Sequence, residues 1–121
     1  MRIKIGGILQ SDNRALLRVM AAPYKNGVAG ALIGVLGESG VNIELISETF
    51  DLDDNINFTL VFDKKDLNQA LGLVEGLKSH IRAEGVSYQH DVAIISVFGP
   101  HMREKPLVPG LMFSSLSTAG V

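Results

Sequence analysis

The chain has 121 residues, 46% of them hydrophobic and 20% charged, with a net charge of −2. That is the composition of a globular protein with a real core, and it carries no basic footprint for nucleic acid. Cysteine is absent, which removes disulfides, thiolate zinc sites and cysteine nucleophiles and suits a reducing compartment. The apolar runs are too short to span a bilayer, and residues 1–7 lack the apolar core and cleavage site of a signal peptide, so the expected location is the cytoplasm, away from membranes.

Charged and apolar residues alternate at Arg2-Ile3-Lys4-Ile5, the pattern of a half-buried strand over residues 2–9, with a bend or bulge at Gly6-Gly7 and a turn at Ser11-Asp12-Asn13. Arg14–Ala21 reads as a second strand. Pro23-Tyr24-Lys25-Asn26-Gly27 is a turn, and Val28 opens a helix whose apolar face is Val28, Leu32, Val35 and Leu36. Gly30, Gly34 and Gly37 interrupt that helix. Each costs about 1 kcal/mol against alanine in a helix interior, so the helix depends on packing. Its glycines are expected to let the sheet or a partner helix come close. Gly40 is the C-terminal stop.

Val41–Phe50 follows as a strand in which Val41, Ile43 and Leu45 pack on the sheet while Asn42 and Glu44 look outward. After an acidic turn at Asp51–Asp54, Asn55–Phe62 places Ile56, Phe58, Leu60 and Phe62 on one face, giving a hairpin. Asp63 is the expected N-cap of a helix with the buried stripe Leu67, Ala70, Leu71, Val74, Leu77 and Ile81, ended by Ala83-Glu84-Gly85. Val86–Tyr88 is a short strand, Gln89–Asp91 a turn, Val92–Phe98 a buried strand and residues 99–105 a loop. A last helix begins near Leu107 with Pro109 in its first turn. The order from Arg14 is β, α, β, β, α, β, then a new β, α. It predicts an α+β, ferredoxin-like βαββαβ unit, an antiparallel sheet with both helices on one face, followed by an incomplete second unit.

The second start echoes the first. Ala15-Leu16-Leu17-Arg18-Val19-Met20 is similar to Ala93-Ile94-Ile95-Ser96-Val97-Phe98, and Val28 and Val108, Leu36 and Leu116, and Gly40 and Gly120 are each 80 residues apart. The second copy stops where its next strand is expected, so the chain looks cut. Pro23-Tyr24-Lys25-Asn26-Gly27-Val28-Ala29, Leu36, Gly40-Val41-Asn42-Ile43-Glu44-Leu45-Ile46 and Asn55-Ile56-Asn57-Phe58-Thr59-Leu60 occur in the order of a known pattern. So do Met102-Arg103, Met112-Phe113-Ser114-Ser115-Leu116 and Ala119-Gly120-Val121 in the second copy. On these residues the chain resembles the tandem ACT regulatory region of aspartate kinases over nearly its whole length.

The resemblance implies a leading strand over residues 1–13 that joins the second unit's sheet, a first ACT domain over 14–91 and an incomplete second over 92–121. It implies an amino-acid effector, lysine or threonine, bound between paired ACT units, a homodimer or higher oligomer, and a kinase catalytic domain or subunit elsewhere. No catalytic residue, cofactor or metal is expected in this chain. The expected effector-binding residues are Tyr24, Lys25, Asn26, Gly27, Val28 and Ala29 at the turn and helix start, with Asn42, Ile43, Glu44 and Glu48 on the following strand. Free N–H groups and the positive dipole end at Asn26–Gly27 suit a carboxylate. Asn42 offers hydrogen bonds to an amino-acid head group, and Glu44 or Glu48 could meet a cation. The plainer alternative is that Gly27 only turns the chain and Asn42 only caps an exposed edge. Tyr24 stands where the family often has Asp, Glu48 where it often has Gln, and Leu107 where the second unit usually has Gly. The first two are the positions expected to change what is read, and the third points to a second loop that binds no ligand in the usual way.

Other chemistry is poorly represented. His80, His90 and His101 have no metal-ligand spacing, Asp51, Asp53 and Asp54 lack the glycine and distal glutamate of a calcium loop, and Ser114, Ser115 and Ser117 have no histidine partner at a recognisable spacing. Two other functions remain open: an ACT module that pairs and binds no ligand, and a small ferredoxin-like enzyme.

Overall fold

A computed structural model describes residues 5–99 and 107–121. Its elements are β1 (Gly7–Pro23), α1 (Val28–Glu38), β2 (Ile43–Phe50), β3 (Asn55–Asp63), a 3-10 turn (Lys64–Asp66), α2 (Leu67–Ile81), β4 (Gly85–Phe98) and α3 (Leu107–Thr118). The sheet order is β2-β3-β1-β4, and β3 runs antiparallel to both β1 and β2. This is the expected ferredoxin-like arrangement. The expected strand at residues 2–4, and most of the loop and second-copy motif at 100–106, lie outside the described residues.

The chain forms two compact units, residues 12–93 and residues 5–11 with 94–99 and 107–121. In the first, Leu17 and Val19 of β1, Phe58, Leu60 and Phe62 of β3, Leu32 and Leu36 of α1, and Ala70 and Val74 of α2 share one buried cluster. The even-numbered positions of β3 are buried because a strand alternates its faces, and Leu32 and Leu36 because four residues return a helix to the same side. The expected stripe of α2 is buried at Leu67, Ala70, Val74 and Ile81 and packed more loosely at Leu71 and Leu77. Asp63 caps the 3-10 turn, its carboxylate accepting the Lys65 N–H at 3.0 Å.

In the second unit, the Gly6 N–H donates to the Phe98 carbonyl at 2.7 Å. A Cβ on Gly7 would run into the Phe98 ring, so glycine stands there because an aromatic side chain lies across the backbone. Val108 of α3 is buried.

The ends of α1 and α3 repeat the same backbone geometry. Val41 N–H bonds to the Leu36 carbonyl at 3.0 Å and Gly40 N–H to Gly37 at 3.0 Å. Val121 N–H bonds to Leu116 at 3.0 Å and Gly120 N–H to Ser117 at 3.1 Å. Gly40 and Gly120 have φ of 86° and 84°. Both are Schellman stops, which require a left-handed residue after the helix.

Four local expectations are corrected. No turn breaks the chain at residues 11–13. β1 continues through them, with Asn13 at φ 59° and the pairing with β3 beginning at Arg14. Nor is there a turn at Gln89–Asp91: β4 is one strand, and its exposed polar stretch contains neither glycine nor proline to stop it. In β2 the register with β3 slips between Ile43 and Leu45. The extra residue turns Leu45 onto the face of Val61 and leaves Ile46, Glu48 and Phe50 on the face of Leu60, Phe58 and Ile56. Finally, Gly30, Gly34 and Gly37 are exposed, and a Cβ at any of them would meet nothing within 4 Å. They do not bring the helix close to the sheet.

Candidate functional site

The loop between β1 and α1 borders a cavity of about 330 Å³ in the unit of residues 12–93. Pro23, Tyr24, Lys25, Asn26, Gly27, Val28 and Ala31 form one wall, and His80, Ile81 and Arg82 the other. The loop reaches this position because Gly27 sits at φ 91°, ψ −5°, a left-handed conformation that glycine takes without Cβ strain. Ala31 N–H bonds back to the Gly27 carbonyl at 2.9 Å, which sets the first turn of α1. That turn carries no acidic residue and no side-chain cap; the Val28 N–H donates to the Lys25 carbonyl at 3.4 Å, and the positive end of the helix dipole lies at this loop. The opposite wall ends α2 at Arg82, whose φ of 57° reverses the chain. Among the described residues, the lining holds two fixed cations, Lys25 and Arg82, and no carboxylate. Tyr24 leans on Phe50, ring centroids 5.7 Å apart and planes tilted by 51°.

Most of the expected effector-binding residues at the turn therefore lie together: Tyr24, Lys25, Asn26, Gly27 and Val28 line one cavity, with Ala29 next in α1 and partly buried against the core. The strand residues are elsewhere. Ile43 pairs with Phe62, which pairs with Ala15, whereas the loop follows Pro23, paired with Asn55. From Ala15 to Pro23 is about 25 Å along an extended strand. Asn42 and Ile43 thus sit at the far end of the sheet, and Glu44 is held there by Arg14, with Nε 3.1 Å from Oε2. Glu48, opposite Phe58, lies between the two ends. One unit cannot close the loop and Asn42 on the same small molecule.

His80, Ile81 and Arg82 were not among the expected site residues. Their local sequence carries no binding signal. The topology could have found them, since in a βαββαβ unit the β1–α1 and α2–β4 connections emerge at the same end of the sheet. Among the described residues, no group of three histidines and carboxylates stands close enough to hold a metal ion, and no helix is long and apolar enough to cross a membrane.

No family model matches the chain. An aspartate kinase of Stutzerimonas stutzeri (strain A1501) is 26% identical over 117 residues, spanning 97% of this chain and 28% of the kinase. An aspartokinase of Mycolicibacterium smegmatis is 28% identical over 119 residues, spanning 95% and 28%. The chain thus spans little more than a quarter of the length of these curated relatives. Among solved structures, the regulatory subunit of aspartate kinase from Thermus flavus matches with a TM-score of 0.84 at 22% identity, over 96% of this chain and 76% of that one. The aspartate kinase of Synechocystis matches with a TM-score of 0.87 at 19% identity, over 94% and 21%. At such identities the structural likeness speaks for the fold, and the sequence likeness agrees with it. In both, the chain resembles the ACT-type regulatory region of aspartate kinases.

Proposed function

We propose that this chain is a non-catalytic regulatory region that senses an amino acid and passes the signal to an aspartate kinase catalytic domain or subunit. The observation that carries the reading is the 330 Å³ cavity at the start of α1, a volume suited to a small ligand. The ligand's carboxylate would rest at the positive end of α1, with Lys25 and Arg82 nearby. Its ammonium group has no carboxylate partner in that lining. Because Asn42, Ile43 and Glu44 stand at the far end of the sheet, they would contribute from a second ACT unit, in a homodimer or higher oligomer. Glu48 would then face the ligand from the same strand. The loop lining, with two cations and no carboxylate among its described residues, offers nothing to a lysine side chain, so Glu44 and Glu48 of the second unit would decide between threonine and lysine. The first ACT domain would be residues 14–91, and residues 1–13 with 92–121 would belong to a second. The mechanism would be a population shift: the ligand binds one arrangement of paired units better, and the catalytic part follows. The expected setting is the cytoplasm.

A thermal-shift screen of the common amino acids, followed by calorimetry, tests this. A ligand at a hundred times its Kd should add about 2.7 kcal/mol of stability, and the gain should vanish in Arg82→Ala combined with Lys25→Ala. No shift with any amino acid would sink the sensing role. One observation favours a second reading, a module that pairs without a ligand: Ile46 and Phe50 on edge strand β2 are 48% and 58% exposed, an apolar edge suited to pairing.

A further inference from the structure

Two residues before the cavity loop begins, β1 carries a bulge. Val19 pairs with Phe58 and Ala22 with Ile56, so Met20 and Ala21 together oppose Asn57. The added residue turns the Ala21 N–H out of the backbone ladder, and the side chain of Asn57 takes it, Oδ1 accepting at 2.8 Å. Ala21 is held at φ 56°, a region that alanine avoids when left to itself. On the other side, the Met20 carbonyl accepts the Glu84 N–H at 3.0 Å, and Glu84 is two residues beyond Arg82. A single irregularity is thus tied to both walls of the cavity: forward through Pro23 to the loop, and across to the segment after α2. Bulges bend and twist the strand they interrupt and re-aim the residues beyond them.

We propose that Asn57 is a positioning residue of the cavity. Its amide oxygen holds the Met20–Ala21 bulge in the one shape that sets residues 24–27 opposite the end of α2. The proposal rests on the reading of the cavity as an effector site, but its structural half can be tested separately.

The full chain is compared as wild type, Asn57→Val, which removes the acceptor and keeps a strand former, and Asn57→Asp, which keeps the acceptor. Two measurements are made, amide hydrogen exchange and calorimetric titration with L-threonine and with L-lysine. In Asn57→Val, exchange at Ala21 and at residues 25–29 should rise about tenfold relative to Leu60. Affinity for whichever amino acid the wild type binds should fall about tenfold, equivalent to about 1.4 kcal/mol. Asn57→Asp should restore both. A purely structural role would lower the unfolding midpoint with no preferential change at the loop. Unchanged loop exchange in Asn57→Val, or equal loss in both variants, overturns the proposal. If the wild type binds neither amino acid, the effector reading fails at this pair, and the exchange arm alone decides whether Asn57 sets the loop. Should Asn57→Val not fold, Asn57→Ala carries the same comparison.

Discussion

Replacing Gly34 by alanine should make this protein more stable. Gly34 lies in the middle of α1, exposed, and a Cβ there would meet nothing within 4 Å. No clash and no filled cavity enters the difference, so only the conformational term remains, about 1 kcal/mol in favour of alanine. With a urea dependence of about 2 kcal/mol per molar, the unfolding midpoint should rise by about 0.5 M. Gly27 supplies the control. It too has open space around the Cβ position, but its φ is 91°. Gly27→Ala should therefore destabilise by about 1 kcal/mol, the left-handed strain outweighing the entropy gained from a stiffer unfolded chain. The pair separates backbone conformation from packing, since the surroundings of the two glycines are equally empty. Urea melts followed by circular dichroism at several protein concentrations would measure both. A loss of stability in Gly34→Ala would refute the reasoning and show that the exposed face of α1 is covered in solution.

Leu32→Ala should cost about 2–5 kcal/mol, since Leu32 is fully buried among β1, β3 and α2; denaturant melts check it, and a loss below about 1 kcal/mol would mean α1 is not anchored as described. Arg14→Met should change stability by no more than about 1 kcal/mol. Although Arg14 lies 3.1 Å from Glu44 and 3.7 Å from Asp63, its Nε–H makes no aligned hydrogen bond and the partners are partly solvated; a double-mutant cycle with Glu44→Gln would measure the coupling. Gly7→Ala should push the Phe98 ring aside at a cost of about 1 kcal/mol, and unmoved Phe98 ring resonances would contradict that contact.

Apolar spacing made much of this structure legible. Val28, Leu32 and Leu36 announce α1, and Ile56, Phe58, Leu60 and Phe62 announce β3, because burial on one face demands the period of the element. What stayed hidden were irregularities that leave the residue types unchanged. The slip at Glu44 moves Leu45 to the other face of β2, yet the sequence still alternates well enough to suggest an undisturbed strand. The bulge before the loop is built on Ala21, and alanine does not advertise a left-handed conformation. The site divides in the same way. Asn26-Gly27 is a readable turn signal, so the loop wall was legible. His80–Arg82 became a wall through topology alone. The separation of Asn42 from the loop arises from strand direction, which the hydrophobic pattern does not display residue by residue.

The two Schellman stops show which part of the unit is local and which is tertiary. Val41 and Val121 make the same backbone hydrogen bond to a leucine carbonyl, yet Val41 is 3% exposed and Val121 85%. The stop therefore forms without burial of the next residue, set by glycine and the last helical turn. Packing adds the rest: Leu32 and Leu36 are fully enclosed, whereas their repeat partners Met112 and Leu116 are only partly covered. This matters for the proposed sensing role because α1 contains three interior or near-terminal glycines and no side-chain N-cap, so little of its stability is intrinsic. An anion resting on its first turn would supply the missing cap, worth about 1 kcal/mol. That is comparable to the propensity lost at one glycine. On the proposed reading, a helix poised in this way, with its start at the cavity and its buried face in the core, would convert occupancy of the loop into tighter order of the whole element. A well-capped, alanine-rich helix would already be formed and would have little left to report.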